Sequence, residues 1–189
     1  MKEEKYFNDL INILQSLPSV GKKSATRLAY FLAVENKFAA LRVAQSIQDA
    51  VTHIHQCLEC GGVSEDELCS ICADSGRHNG ELCIVQHPKD ILVLEESNFF
   101  KGCYFVLQEN NDFAVEKLKK IIRQHHIQEI IFAFSPSLAS DTLALWLEDK
   151  LKDCSLLFTR IAQGVPSGVS FENIDQISLW KAFETRTKI

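Results

Sequence analysis

Nowhere in the 189 residues is there an apolar run long enough to cross a membrane, which takes about 20 consecutive residues. The opening stretch, MKEEKYFNDL, has no apolar signal segment and carries acids where a targeting peptide has none. Internal repeats and low-complexity stretches are missing too, which argues against a repeat array, and no long linker separates the parts. Positive charge is in deficit: 20 Lys and Arg face 25 Asp and Glu, for a formal net charge of −5. What is present fits an intracellular globular protein. Hydrophobic residues make up 46% of the chain, enough for a buried core. Seven cysteines without a signal peptide imply reduced thiols, so the expected location is the cytoplasm.

Four of those cysteines, Cys57, Cys60, Cys69 and Cys72, are spaced C-x2-C-x8-C-x2-C. Two such pairs can close on one tetrahedral ion. Zinc fits best, because four thiolates in a tetrahedron suit a d10 ion without redox chemistry. With all four positions taken, no place is left for water, so one structural Zn2+ per chain is expected. Disulfides are the other reading of the same spacing, disfavoured by two CxxC pairs flanking a short polar loop. His53 and His55 lie just upstream, but the cysteine set is already complete, so both are read as structural or exposed. Cys83, Cys103 and Cys154 sit inside apolar runs and are read as small buried hydrophobes.

The net charge hides an uneven distribution. From Pro18 to Leu32 there are three cations, Lys22, Lys23 and Arg27, and no acid. A local basic face on an acidic protein can still bind phosphate, above all when several copies assemble side by side. Upstream, Phe7, Leu10, Ile11, Leu14 and Leu17 recur at helical spacing. Leu17-Pro18-Ser19-Val20-Gly21 then breaks the helix, and Lys22 to Val34 reads as a second one. The stretch LPSVGKKSATRLAYFL resembles a helix-hairpin-helix motif. There Gly21 lets a phosphate approach the backbone, and the free amides opening the next helix point at it. Lys23 and Arg27, four apart, share a face. Such an element grips phosphates without reading bases. A nucleotide P-loop is excluded, because its earlier glycine falls at Ser16 and no strand precedes it. A third helix is expected over roughly Ala39 to His55, with Leu41, Ala44, Ile47 and Val51 facing inward.

Beyond the cysteines the texture changes. Leu82 to Val85, Ile91 to Leu94 (after a turn at Pro88 to Asp90) and Cys103 to Leu107 are short apolar runs. Ala114 to His125 reads as a helix with Val115, Leu118, Ile121 and Ile122 on one face. Ile130 to Phe134 (strand), Leu143 to Leu151 (helix) and Ser155 to Thr159 (strand) follow. Continuous apolar strands alternating with amphipathic helices indicate an α/β unit with a largely parallel sheet.

In this order, the elements resemble the bacterial RecR recombination mediators over nearly the whole chain. The resemblance rests on LPSVGKKSATRLAYFL, on the cysteine motif with Asp74 and Arg77 after it, and on TRIAQGVPSG at Thr159 to Gly168. Weaker echoes are FFKGCYFVL and SPSLASDTLALWL. The implied architecture is an α+β, multi-module chain. Residues 1–55 form a helix-hairpin-helix DNA-binding region, 56–76 a four-cysteine zinc finger, 77–165 a Toprim-like α/β domain and 166–189 a C-terminal segment. A working Toprim site needs a glutamate after its first strand and an Asp-x-Asp pair after a later one, to hold magnesium with hard oxygens. This chain has Gln86 at the first place and Ser135-Pro136-Ser137 at the second, with Asp141 the nearest acid. Glu95 and Glu96 are read as solvated or as partners for cations.

The resemblance therefore implies a binding protein in DNA repair and recombination, and not an enzyme. By family analogy it acts with RecO, and with RecF, to help load RecA onto gapped DNA coated by single-strand binding protein. It does so as a dimeric or tetrameric ring-like clamp on DNA in the cytoplasm, at the nucleoid. A four-subunit ring would line its hole with about twelve hairpin cations, each neutralised phosphate contributing about −0.9 to the salt slope. The gripping positions carry over to Lys23 and Arg27, with Lys22 and Gly21 beside them. Ile177, Trp180 and Phe183 recur at three-residue spacing near the end, for packing on their own domain or for a subunit contact. Two other classes fit parts of the sequence: a Toprim enzyme cleaving DNA with a metal, and a zinc-stapled adaptor binding proteins alone.

Overall fold

The computed structural model describes residues 4–162, 164–165, 168–184 and 186. Two compact units make up the chain, Met1–Ile54 and His55–Ile189. In the first, α1 (Lys5–Gln15) and α2 (Lys22–Tyr30) are joined by the Ser16–Gly21 turn. Pro18 lacks an amide to continue α1, and Ser19 takes a left-handed φ of 64° to reverse the chain. Phe7, Leu10, Ile11 and Leu14 are half-buried along one side of α1, while Leu17 is exposed. Ala25 and Ala29 of α2 are fully buried. A π-helical turn, Phe31–Glu35, extends α2. Asn36 then starts α3 (Lys37–His53) by accepting a hydrogen bond from the Ala39 amide at 2.9 Å.

The expected inward stripe on α3 is not inward. Leu41 is 71% exposed, Ile47 59% and Val51 79%, and Ala44 is exposed as well. Among the described residues of this unit only Ala25 and Ala29 are buried. Helical periodicity reveals that a face is apolar but does not say what covers it. Two short helices offer too little surface to cover a third.

In the second unit a two-residue ladder, β1 (His55–Gln56) with β2 (Val63–Ser64), and the short α4 (Ser70–Ala73) frame the cysteines. A four-stranded parallel sheet follows, built from β3 (Glu81–Val85), β4 (Cys103–Val106), β5 (Glu129–Phe132) and β6 (Leu157–Arg160). Its order is β4-β3-β5-β6. The connecting helices are α5 (Pro88–Ser97), α6 (Asp112–Gln124) and α7 (Leu138–Leu151), and α8 (Gln176–Glu184) comes last. Strand alternation divides the interior into two cores. Leu82, Ile84, Phe105, Ile130 and Phe132 pack with Leu118 and Ile122 of α6 and Leu147 of α7. On the other face Cys83, Val85, Tyr104 and Val106 pack with Ile91 and the four motif cysteines.

One apolar run changes type. Ile91 to Leu94, read from the sequence as a short apolar run among the strands, lies inside α5, and the expected turn at Pro88 to Asp90 is that helix's first turn. Pro88 suits the first helical position, and the Asp90 carboxylate accepts from the His87 amide at 3.1 Å. Ile91 is buried, Leu94 half-buried, and Leu92 and Val93 exposed, a helical pattern that four apolar residues in a row conceal. Of the spare cysteines, Cys83 and Cys103 are buried and Cys154 is half-buried at the rim of the first core. Within TRIAQGVPSG, Gln163, Pro166 and Ser167 lie outside the described residues, as does the side chain of Ile177.

Candidate functional site

At the hairpin, Gly21 is the residue before α2, with extended backbone (φ −78°, ψ 165°) and no side chain to cap the helix. A Cβ placed on it would meet nothing within 4 Å, so the approach to the first amides of α2 is open. No acid occupies that first turn. Lys22, Lys23 and Arg27 are all exposed, and none forms an ion pair among the described residues. The first amides of α2 and the lysines of its first turn thus share one uncovered end, an arrangement suited to phosphate, while Arg27 lies in the last turn of the helix. Arg27 also borders a cavity of about 780 Å³ lined by Phe7, Leu28, Tyr30 and Phe31.

The motif cysteines come together as one cluster. Their four sulfurs lie within 4.8 Å of one another, and all four residues are buried. Backbone bonds fold each half: Cys57 N donates to Gly62 O at 2.8 Å, Gly61 N to Cys57 O at 3.0 Å and Ala73 N to Cys69 O at 3.0 Å. Gly61 requires its glycine, since its φ is +76° and a Cβ would touch Val106 at 3.4 Å. Amides also point at sulfur, Gly62 N to Cys60 Sγ at 3.2 Å and Cys69 N to Cys57 Sγ at 3.3 Å, which favours thiolates. Hydrogen bonds from Cys60 and Cys72, joined by backbone amides, drive Cys69 far below the ordinary thiol range, while the hydrogen bond with Cys69 and burial push Cys60 up to about 12. Four mutually close sulfurs hold their charge together only with a soft cation among them. The donor set fits one tetrahedral, structural zinc. His53 and His55 are exposed and stand outside the cluster.

The carboxyl edge of the sheet has a different chemistry. Gln86 follows β3 half-buried, and Ser135 to Ser137 follow β5 exposed. The hydroxyls of Ser137 and Ser140 are committed to the backbone. Ser137 caps α7 by accepting from the Ser140 amide at 3.1 Å, and the buried Ser140 hydroxyl donates toward Ser135 O and Ser137 O, each at 2.8 Å. Asp141 is paired with Arg160 at the end of β6. Among the described residues, the four cysteines are the one group of three or more metal-binding side chains that converge. A cavity of about 430 Å³ lies beside this edge, bordered by Asp90, Val93, Phe134, Ser135, Pro136 and Ile161.

Sequence reading missed two ties between the cysteine region and the sheet domain. Arg77 donates twice to Glu95, at 3.0 and 2.6 Å, and once to Gly102 O at 3.0 Å. Tyr104 Oη donates to the same carboxylate at 2.8 Å. Hydrogen bonds from Arg77, then from Tyr104, hold the Glu95 carboxyl below the usual glutamate range. Glu95 is thus a partner for a cation, while Glu96 is exposed. In the other tie, His125 Nε2 lies 2.9 Å from Glu59 Oε1, and its ring sits 3.9 Å from that of His78. No local pattern signals contacts across 18 and 66 residues. On α8, Trp180 and Phe183 are more than half exposed.

Comparison with known proteins follows the same order of parts. Residues 7–51 match the profile described as RecR, helix-hairpin-helix. Residues 54–74 match the RecR zinc finger domain built on four cysteines, and residues 80–162 a Toprim domain. A protein from Nitratiruptor sp. called Recombination protein RecR is 49% identical over 188 residues, covering 100% of this chain and 98% of that protein. Proteins of the same name from Campylobacter jejuni subsp. doylei and Helicobacter pylori (strain Shi470) are 50% and 45% identical over 183 residues. Each covers 97% of this chain, and 96% and 95% of the relative. With its hairpin, its zinc finger and its parallel sheet in that order, the chain belongs to the RecR family of recombination proteins.

Proposed function

We propose that this chain is a non-catalytic, DNA-binding recombination mediator. It acts as a ring-like homo-oligomeric clamp that works with RecO, and with RecF, to help load RecA onto gapped DNA coated with single-strand binding protein. The observation that carries the reading is the open start of α2, where Gly21 and uncapped amides meet Lys22 and Lys23, with Arg27 further along the same helix and all three cations unpaired among the described residues. Contacts of that kind hold phosphate irrespective of sequence, as gapped DNA of any sequence requires. The working domains are residues 1–55 for DNA, 56–76 for zinc, 77–165 for the Toprim-like sheet and 166–189 for subunit contact, and the cytoplasm is where they act.

Assembly is supported by apolar surface that a lone chain leaves in water. Leu41, Ile47 and Val51 on α3, and Trp180 and Phe183 on α8, are each more than half exposed. Faces of this kind mark interaction sites. A lack of catalysis is supported by the chemistry of the carboxyl edge. Gln86, Ser135 and the capping Ser137 stand where carboxylates would hold magnesium, and Asp141 is paired with Arg160.

The test is the mass of the purified protein in solution, alone and with gapped DNA, across a salt series. A dimer or tetramer whose DNA affinity falls steeply with salt is the expected result. A monomer indifferent to DNA would overturn the clamp in favour of a zinc-stapled adaptor. Magnesium-dependent nicking that is lost in Asp141→Ala would overturn the non-catalytic part.

A further inference from the structure

The cavity of about 780 Å³ beside Arg27 falls within the range of about 300–1,000 Å³ typical of small-ligand sites. Three aromatic residues border it: Phe7 of α1, Tyr30 at the end of α2 and Phe31 just after it. Only 9% of the chain is aromatic, so their gathering at one opening is not an accident of composition. Tyr30 is 50% exposed and Phe31 42%, while Phe7 is half-buried. None of the three rings meets another aromatic ring or a cation among the described residues. The hairpin's own packing uses the fully buried Ala25 and Ala29 of α2 and leaves these rings without a task.

Ser24, Arg27 and Glu35 border the same cavity. Their side chains, like the Tyr30 hydroxyl, form no hydrogen bond or ion pair among the described residues. Aromatic faces with a guanidinium beside them suit a flat π-system. The polar groups suit its edge, since Ser24 and Tyr30 can donate or accept and Glu35 can accept from an exocyclic amino group. Glu35 also disfavours phosphate inside the cavity. Phosphate finds its place at the start of α2, where Lys22 and Lys23 meet uncapped amides. Tyr30 is about 12 Å along the helix from Lys22, a span of about four stacked nucleotides. A second copy of the chain would have to bury Arg27 and Glu35 here, and interface centres are depleted in charge. The bare stripe of Leu41, Ile47 and Val51 on α3 suits a second copy better.

We propose that the cavity bordered by Phe7, Tyr30 and Phe31 takes an unpaired nucleobase of single-stranded DNA, stacked on its exposed rings, while the start of α2 holds phosphates of the same DNA. This rests on the DNA-binding reading above and deepens it, by giving the single-stranded part of a gap its own contact. The test uses full-length Tyr30→Leu/Phe31→Leu, which keeps apolar bulk and removes the π-faces. Wild type and variant are titrated with a cytidine oligomer, with an abasic oligomer of the same length and charge, and with duplex DNA. The variant is expected to lose at least about 5-fold in affinity for the cytidine oligomer, the lower end of what base stacking contributes. Its affinity for the abasic oligomer and the duplex should match wild type, with zinc content, melting temperature and solution mass unchanged. Tyr30→Trp/Phe31→Tyr, which keeps both rings aromatic, should bind the cytidine oligomer as wild type does. Unchanged affinity for the cytidine oligomer in the leucine variant overturns the proposal, as does an equal loss on the abasic one. A fall in solution mass in that variant overturns it in favour of a subunit contact. Each of these leaves the hairpin reading intact so long as Lys22→Glu/Lys23→Glu loses the duplex. Wild type without affinity for any of the three DNAs overturns both.

Discussion

Lys23 and Arg27 gain their meaning from what surrounds them. Exposed cations are ordinary, but Lys23 flanks helix amides that no side chain caps and that a missing Cβ leaves open, and Arg27 follows one turn along the same helix. Lys23→Glu/Arg27→Glu is expected to abolish retention of DNA in a mobility assay, with zinc content and circular dichroism unchanged. Unaltered retention would refute the hairpin assignment. Glu95 makes a different kind of contribution. Its carboxyl is held below the ordinary range near 4.3 by Arg77, so the stabilisation is complete at neutral pH. It fades as pH falls below that range and through the lower folded value. Thermal melts from pH 7 down to 3 should show Glu95→Gln less stable than wild type at pH 7, with the gap closing on acidification. Arg77→Ala should cost about 2 kcal/mol at pH 7 by urea unfolding, since it removes charged hydrogen bonds from a side chain 12% exposed.

Among the elements, the zinc knuckle is more than an appendage. Its cysteines form one core with Cys83, Val85, Tyr104 and Val106 of the sheet, and Val106 N donates to Cys60 O at 2.8 Å. Loss of metal therefore uncovers a whole face of β3 and β4. Cys57→Ser, or chelation of the wild type, is expected to lower the melting temperature of the sheet domain and to speed amide exchange in β3 and β4. Metal analysis of the purified wild type should find one zinc per chain. Exchange that is accelerated only in residues 55–74 would show the two elements to be energetically independent. The opposite core, around Leu118, answers to packing alone. Leu118→Ala should destabilise by about 2–5 kcal/mol without loss of zinc.

For the whole molecule, the governing feature is the imbalance between the two units. The sheet domain closes two cores on itself, whereas among the described residues the helical unit buries only two alanines. A subunit contact through α3 would cover what the chain leaves bare. Leu41→Glu with Ile47→Glu is expected to lower the solution mass by one step, from tetramer to dimer or from dimer to monomer. It should flatten the salt dependence of DNA binding as well, because fewer hairpins then meet one duplex. An unchanged mass by light scattering would move the subunit contact elsewhere, with α8 the next surface to test.

The sequence alone determined the features carried by short spacings. The C-x2-C-x8-C-x2-C run, the Pro18–Gly21 break between basic and apolar stretches, and the strand and helix periods each depend on neighbours a few residues away. Family, zinc and the parallel sheet were legible for that reason. Ile91 to Leu94 was not, because four consecutive apolar residues satisfy either period and only the capped Pro88 start decides for a helix. Tertiary structure alone decided that α3 faces outward, that Arg77 meets Glu95, that His125 meets Glu59, and that the knuckle shares a core with the sheet. Those are contacts between residues distant in the chain. Which polar group finds which partner, and which apolar face stays bare, depends on where whole elements come to rest.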